Sequence, residues 1–258
     1  MTDRPAPKPD PTSAAAVPAP VALMPADPVV LVTGATGGLG RVVAGAFAAA
    51  GARLGLGGTD DARLPALAAD LGLDADRWVA AVGDVATRDG AQGAADAVVA
   101  RFGRIDVWIH AVGGWAGGTA IVEVDPGELE RMLEQHVWST FHVAQAVVPG
   151  MLERGWGRIV AVTTPFAATP GAKGAPYAAA KAAQDTFVRA LAREVANTGV
   201  TANLVVVRQI DTAHERVTSP TPRNAAATTP EEIASVMRVL CSDESAAING
   251  ARIPLDGR

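Results

Sequence analysis

Residues 29–258 predict a doubly wound α/β fold, a single domain with one parallel sheet and helices on both faces. Three observations carry that prediction. Short apolar runs recur along the chain, and several are apolar on both sides, as parallel strands covered by two helix layers must be. Segments long enough for a crossover helix separate the runs. The first run passes straight into a glycine-rich turn and then a helical pattern.

In chain order, the predicted strands are VVLVT (29–33), RLGLG (53–57), WVAAV (78–82), IDVWIHAV (105–112), RIVAVT (158–163), VTANLVVV (200–207) and ARIPL (251–255). Between them, ADAVVARFG and the long GELERMLEQHVWSTFHVAQAVVPGMLERG have the length and composition of crossover helices. No internal repeat or composition shift after residue 28 marks a second domain. Residues 1–28, rich in Pro and Ala, predict a disordered or extended tail, because such a stretch cannot pack as a helix. That tail lacks a basic segment followed by an apolar one, so it does not read as a secretory signal.

Composition excludes several functions. A net charge of −5 over 258 residues offers no basic footprint for nucleic acid or for an anionic membrane. No run approaches the ~18 apolar residues of a membrane span. Cys241 is the one cysteine, which rules out an intrachain disulfide and any cysteine-based metal site. His110, His136, His142 and His214 show no metal-ligand spacing with carboxylates, so no metal is expected. A cytoplasmic protein fits all of this.

VVLVTGATGGLGRVVAGAFAAAG places Gly34, Gly38 and Gly40 in the pattern T-G-x-x-x-G-x-G, with Thr36 and Leu39 between them. Glycines so spaced let a tight turn bring backbone N–H groups against a pyrophosphate at a helix N-terminus. The other reading is a bare tight turn. The dinucleotide reading is supported downstream by Asp84 and Val85 after the third strand, where a carboxylate can accept from an adenine amino group. At the end of the second strand, where a carboxylate would hold the ribose of NAD, stand Gly58 and Thr59. Its absence removes repulsion against a 2′-phosphate and leans the cofactor toward NADP(H) over NAD(H). No arginine at 58 or 59 strengthens the lean.

PYAAAKAA holds the only tyrosine in the chain, Tyr177, four residues before Lys181 in a helical stretch. Positions i and i+4 share a helix face, and a neighbouring ammonium favours the phenolate of a group that otherwise ionises near pH ~10. Together with TGATGGLG, the Asp84–Val85 pair, GRIVAVTT and the closing LCSDESAAINGARIPLDG, the order and spacing resemble the short-chain dehydrogenase/reductase family over about residues 29–258.

The resemblance implies a Rossmann-type fold and hydride transfer between a nicotinamide cofactor and a carbonyl or alcohol. Tyr177 would be the acid-base, and Lys181 would lower its pKa and hold the cofactor ribose. It puts Thr164, thirteen positions before the tyrosine, where the family usually has serine; its hydroxyl can donate to a substrate oxygen. It also implies cofactor contacts from Tyr177, Lys181, His110, Gly113, Ile210 and Thr212. Three motifs depart from the family pattern. HAVG (110–113) replaces N-N-A-G, His136 replaces the helix asparagine of a proton relay, and Val207–Arg208 replaces P-G. Neutral His136 can serve in that relay, with activity falling as the ring protonates near pH ~6.5. It reads equally as a polar residue satisfied by a neighbouring carbonyl. The altered motifs also keep open a second class, a nucleotide-binding regulatory or interaction protein on the same fold.

Segment 213–229, AHERVTSPTPRNAAATT, lies where a lid would border the substrate, with Arg216 and Arg223 available for an acidic group. Trp115 and Phe166 are candidates for an apolar lining. The helices near 130–150 and 177–195 are apolar on more than one face, which together with the resemblance implies a homodimer or homotetramer.

Overall fold

The computed structural model describes residues 25–255, so most of the expected tail (1–24) and the end of the closing segment (256–258) lie outside the described residues. Seven parallel strands form one sheet: β1 (Val29–Thr33), β2 (Arg53–Gly58), β3 (Trp78–Val82), β4 (Val107–His110), β5 (Gly157–Thr163), β6 (Val200–Val207) and β7 (Arg252–Leu255). Their spatial order is β3-β2-β1-β4-β5-β6-β7, the doubly wound order expected. The winding reverses between β1 and β4, and a crevice opens at the carboxyl ends of the strands there.

Helices cover both faces. On one side α1 (Gly38–Ala49), α2 (Arg63–Asp70) and α8 (Pro230–Leu240) pack Val43, Phe47, Leu64, Ile233 and Met237 against β1, β2, β4 and β6. Cys241, at the end of α8, is 2% exposed in this layer, and burial pushes its thiol up to about 12. On the other side α3 (Arg88–Phe102), α5 (Ser139–Arg154) and α6 (Ala175–Glu194) pack Val98, Val147, Met151 and Val188 onto Trp108, Ile159 and Leu204. Every residue of β1 and of β6 is buried; β1 is apolar except for Thr33, and in β6 the two polar positions, Thr201 and Asn203, are buried as well.

The amino ends of the central strands are fixed by charge. Asp106 accepts from the Val29 N–H at 2.9 Å and from Arg104 Nε at 2.8 Å, and Asp27 pairs with Arg53 at 2.7 Å and Arg104 at 3.2 Å. These contacts hold β1, β2 and β4 flush, so their carboxyl ends present the following loops side by side.

Two elements differ from expectation. β4 is four residues long where IDVWIHAV suggested eight: Ile105 and Asp106 precede it, with the Asp106 carboxylate bonded to Val29 N–H and Arg104, and Ala111 and Val112 follow it as a wall of the crevice. The long helical segment is α4 (Pro126–Leu133), a π-helical turn (Glu134–Trp138) and α5 in succession. The hydroxyls of Ser139 and Thr140 donate to the carbonyls of Gln135 and His136, at 2.6 and 2.7 Å, taking up acceptors within the widened turn. No described helix is long and apolar enough to cross a membrane.

Candidate active site

The turn after β1 is built by close backbone approach. Gly34 has φ +80°, and a Cβ there would lie 2.8 Å from Ala111 O; a Cβ on Gly40 would lie 2.1 Å from Gly34 O. Gly34 and Ala35 both donate to Gly57 O, which ties the turn to β2. No side chain caps α1, so the N–H groups of its first turn, over Gly38, Leu39 and Gly40, stay available to an anion.

Two cavities flank this turn. The larger, about 930 Å³, is lined by Gly38, Leu39 and Gly40 on one side and by Gly113, His136, Tyr177, Lys181, Ile210 and Thr212 on the other. The smaller, about 700 Å³, is lined by Gly34, Thr36, Gly58, Thr59, Asp84 and Val85. Gly37, Ala111, Val112, Gly113 and Trp115 belong to both, so the two spaces form one elongated crevice. Its length, its uncapped helix end and the space kept clear by glycines fit a dinucleotide.

Tyr177 and Lys181 are presented by α6 toward the larger cavity. Burial raises the Tyr177 phenol above its ordinary pKa, and a hydrogen bond with the Thr164 hydroxyl acts in the opposite direction. Thr164 is 3% exposed; its oxygen also accepts from the Phe166 N–H at 3.4 Å. Lys181 is 4% exposed and burial pulls its ammonium down to about 7. Its Nζ donates to Val162 O and to Gln184 Oε1, each at 2.9 Å.

The π turn delivers His136 to the same cavity. Its Nε2 lies 3.1 Å from Gly114 O and therefore carries the proton, while Nδ1 is a buried acceptor with no partner among the described residues. The ring stands edge-on to Tyr177, with centroids 5.6 Å apart. Burial, then the nearby Lys181 charge, push it down to about 3, so the expected titration near pH ~6.5 is displaced and His136 is neutral at working pH.

His110 does not reach the crevice, contrary to expectation. The ring is 1% exposed, with Nδ1 2.9 Å from Thr33 Oγ1 and Nε2 3.2 Å from Ser139 Oγ. Because Ser139 donates to Gln135 O, its oxygen accepts from Nε2–H; Nδ1 then accepts from Thr33, whose oxygen accepts from Trp108 Nε1 at 3.2 Å. Each group in this line from β1 through β4 to the π turn is satisfied with His110 neutral. Burial first, then Lys181, push it down to about 3.

Other expectations divide. Trp115 lines both cavities while 64% exposed; Phe166 lies behind Tyr177, against Gly171 and Gly174, and lines neither. Of the lid arginines, Arg216 is committed to Glu232 and to Ala227 O, which secures α7 (Glu215–Thr218) to the N-terminus of α8. Arg223 and Arg208 line the larger cavity, and neither has an ion pair among the described residues. Three residues of this region were missed by sequence reasoning. Gln184 and Thr140 connect Lys181 to the π turn, and Arg63 donates to Thr36 O at 3.3 Å, beside the smaller cavity. Gln184 was detectable as a polar residue three positions after Lys181 on a helix face that is otherwise apolar.

Comparison with known proteins agrees with this architecture. A family model described as short chain dehydrogenase matches residues 28–223. The D-threitol dehydrogenase of Mycolicibacterium smegmatis is 34% identical over 241 residues, covering 89% of this chain and 91% of that one. The 3-oxoacyl-(acyl-carrier-protein) reductase FabG of Escherichia coli is 30% identical over 237 residues, covering 89% and 96%. Among solved structures, a short chain dehydrogenase from Bacillus anthracis superposes with a TM-score of 0.80 at 28% identity, covering 89% and 95%. L-sorbose reductase from Gluconobacter frateurii, complexed with NADPH and L-sorbose, gives 0.78 at 25% identity, covering 92% and 97%.

Both buried histidines have folded-state pKa values depressed to about 3. Below the unfolded value of about 6.5 the unfolded chain binds more protons, so stability is lost as pH falls from 6.5 toward 3, by up to about 1.4 kcal/mol per pH unit for each ring. Urea denaturation at several pH values in that window is expected to show the slope, and His110→Asn to reduce it. An unchanged slope in the variant would mean that the His110 ring takes up protons within the fold.

Proposed function

The chain belongs to the short chain dehydrogenase family of oxidoreductases, and we propose that it transfers hydride between NADP(H) and a small-molecule carbonyl/alcohol pair. The observation that carries this reading is the placement of Tyr177 and Lys181 at one end of a crevice, with the Thr164 hydroxyl hydrogen-bonded to the phenol from behind the lining, while the other end has the features of an adenosine site. Bound nicotinamide supplies or accepts the hydride. Everything else in the reaction falls to side chains.

In reduction Tyr177 gives its phenolic proton to the carbonyl oxygen; in oxidation the phenolate takes the hydroxyl proton. Burial alone would hold the phenol too weak an acid, and two groups counter that. Without substrate the single Thr164 hydrogen goes to the phenol oxygen and favours the phenolate; with substrate bound it turns to orient the substrate oxygen, and the Lys181 ammonium, when charged, favours the phenolate in its place. His136, neutral, offers Nδ1 as an acceptor beside them. The glycine turn and the free N–H groups of α1 would hold the pyrophosphate, and Asp84 and Val85 the adenine side. Tyr177→Phe is expected to lower turnover at least ~100-fold in a carbonyl screen while leaving NADPH affinity, read by fluorescence titration, within about twofold. Unchanged turnover would remove Tyr177 from the chemistry. Wild-type protein that binds NADPH but reduces nothing would favour a regulatory binder.

The preference for NADP(H) rests on Gly58, followed by Thr59, in place of a carboxylate and on Arg63, whose guanidinium reaches Thr36 beside the smaller cavity. From there it can meet a 2′-phosphate as a charge-assisted donor. Arg63→Gln is expected to weaken NADPH binding about tenfold with NADH binding unmoved. Equal loss for both cofactors would refute a phosphate contact.

The chain is also read as a homodimer or homotetramer. Trp138 is 48% exposed and stacks on His142 beside Phe141, which meets Phe187 of α6, so an aromatic patch joins α5 to α6 on the outside of the molecule. Light scattering after size-exclusion chromatography is expected to give a multiple of 26.2 kDa, reverting toward one chain in Trp138→Asp. A monomeric wild type would overturn the reading.

A further inference from the structure

Gln184 on α6 is fully buried, and its orientation follows from donor and acceptor accounting. The Thr140 hydroxyl spends its hydrogen on His136 O at 2.7 Å, so the Thr140 oxygen accepts, and the group facing it at 2.9 Å must be the amide nitrogen of Gln184. The amide oxygen is thereby turned to Lys181 Nζ, at 2.9 Å. The result is a continuous side-chain link from Lys181 through Gln184 and Thr140 to the backbone of the π turn.

The electrostatics of Lys181 make that link consequential. Val162 O and Gln184 Oε1 occupy two of the three ammonium hydrogens. The titratable groups facing it are His136 from the π turn, His110 from β4 and Tyr177 from its own helix. Neither histidine supplies negative charge, and no ion pair to Nζ exists among the described residues. A buried ammonium without a counter-ion depends on the oxygens it touches, and here there are two. Burial already pulls Lys181 down to about 7, where a small change in those contacts decides its charge.

We propose that Gln184 is the positioning residue for Lys181, its amide oxygen holding the ammonium charged and aimed at the crevice while its amide nitrogen anchors it to the π turn. A carboxamide does not readily pass protons on as water does, so the inner side of Lys181 is a fixed anchor and proton exchange for Tyr177 takes place from the crevice. The catalytic meaning of Lys181 rests on the reaction proposed above; its placement does not.

The test therefore reads the lysine itself. The chain has three lysines, so the Lys181 signal can be identified by nuclear magnetic resonance of lysine-labelled protein and its titration followed without any substrate. In Gln184→Met the midpoint is expected to fall by about one pH unit or more, a tenfold change in the dissociation constant, because a charge-stabilising acceptor is gone. In Gln184→Glu a carboxylate replaces that acceptor and the midpoint is expected to rise above the wild-type value. A merely structural role would lower the melting temperature of Gln184→Met and leave the midpoint in place, which would overturn the proposal. If Gln184→Met does not fold, Gln184→Glu decides, and a midpoint there equal to wild type overturns it. Failure of the reaction proposed above would show separately, as wild-type protein with the expected titration and no turnover.

Discussion

Gly34 lies so close to Ala111 and to Gly40 that no side chain fits at 34 or 40 without moving backbone, and the crevice depends on this contact. With β1 and β4 adjacent in the sheet, the chain leaving β1 must turn sharply to clear the chain leaving β4. Gly34 makes the turn with a positive φ, and Gly40 lets the start of α1 close over it. The helix end then faces open space instead of a capping residue. At Gly113 the neighbours are side chains instead: a Cβ would stand 3.2 Å from the His136 ring and 3.9 Å from Lys181 Nζ. The turn after β1 is thus a result of backbone packed against backbone at the switch point of the sheet, whereas the end of the crevice at Gly113 is bounded by side chains.

The fold was legible in the sequence to within a few residues per strand, and the reason is burial. β1, β6 and most of β2 are covered on both faces, and a strand in that environment is mostly apolar, as β1 and the end of β6 are. The two misreadings arose where burial carries no signal. Ala111 and Val112 are apolar like the strand before them, but β1 ends at Thr33 and only the Ala111 N–H still reaches it, although β5 continues to Thr163. The π turn at 134–138 cannot be seen in composition, since Gln135, His136, Ser139 and Thr140 suit an ordinary helix. What distinguishes it is a backbone bond across five residues, Ser139 N–H to Glu134 O, which no side-chain pattern announces.

The site was legible where a residue's role follows from its place in a spaced pattern. Gly34, Gly38, Gly40, Tyr177 and Lys181 all face the crevice. Pattern failed at His110, which works through a network, and not at His136, which lines the crevice. His110 and His136 occupy positions where asparagines were expected, yet one ring lies beneath the crevice wall and the other within it. Two features separate them: the partners Thr33 and Ser139, which are 106 positions apart in sequence, and the widened turn that swings His136 outward. Gln184 and Thr140 escaped because neither belongs to a motif. Their importance comes from being the polar groups through which a buried lysine meets the helix opposite.

The buried thiol at the end of α8 has a practical consequence. Cys241 is sealed in the α1–α8 layer and its pKa of about 12 keeps it protonated across the range in which the protein would be handled, so it is a poor nucleophile toward maleimides or disulfides. The native chain is therefore close to silent toward thiol reagents without any substitution. A cysteine placed on the exposed stretch around Val217, or beside Trp115, would carry a spin label or fluorophore alone, and ligand binding in the crevice could be followed against an unlabelled background.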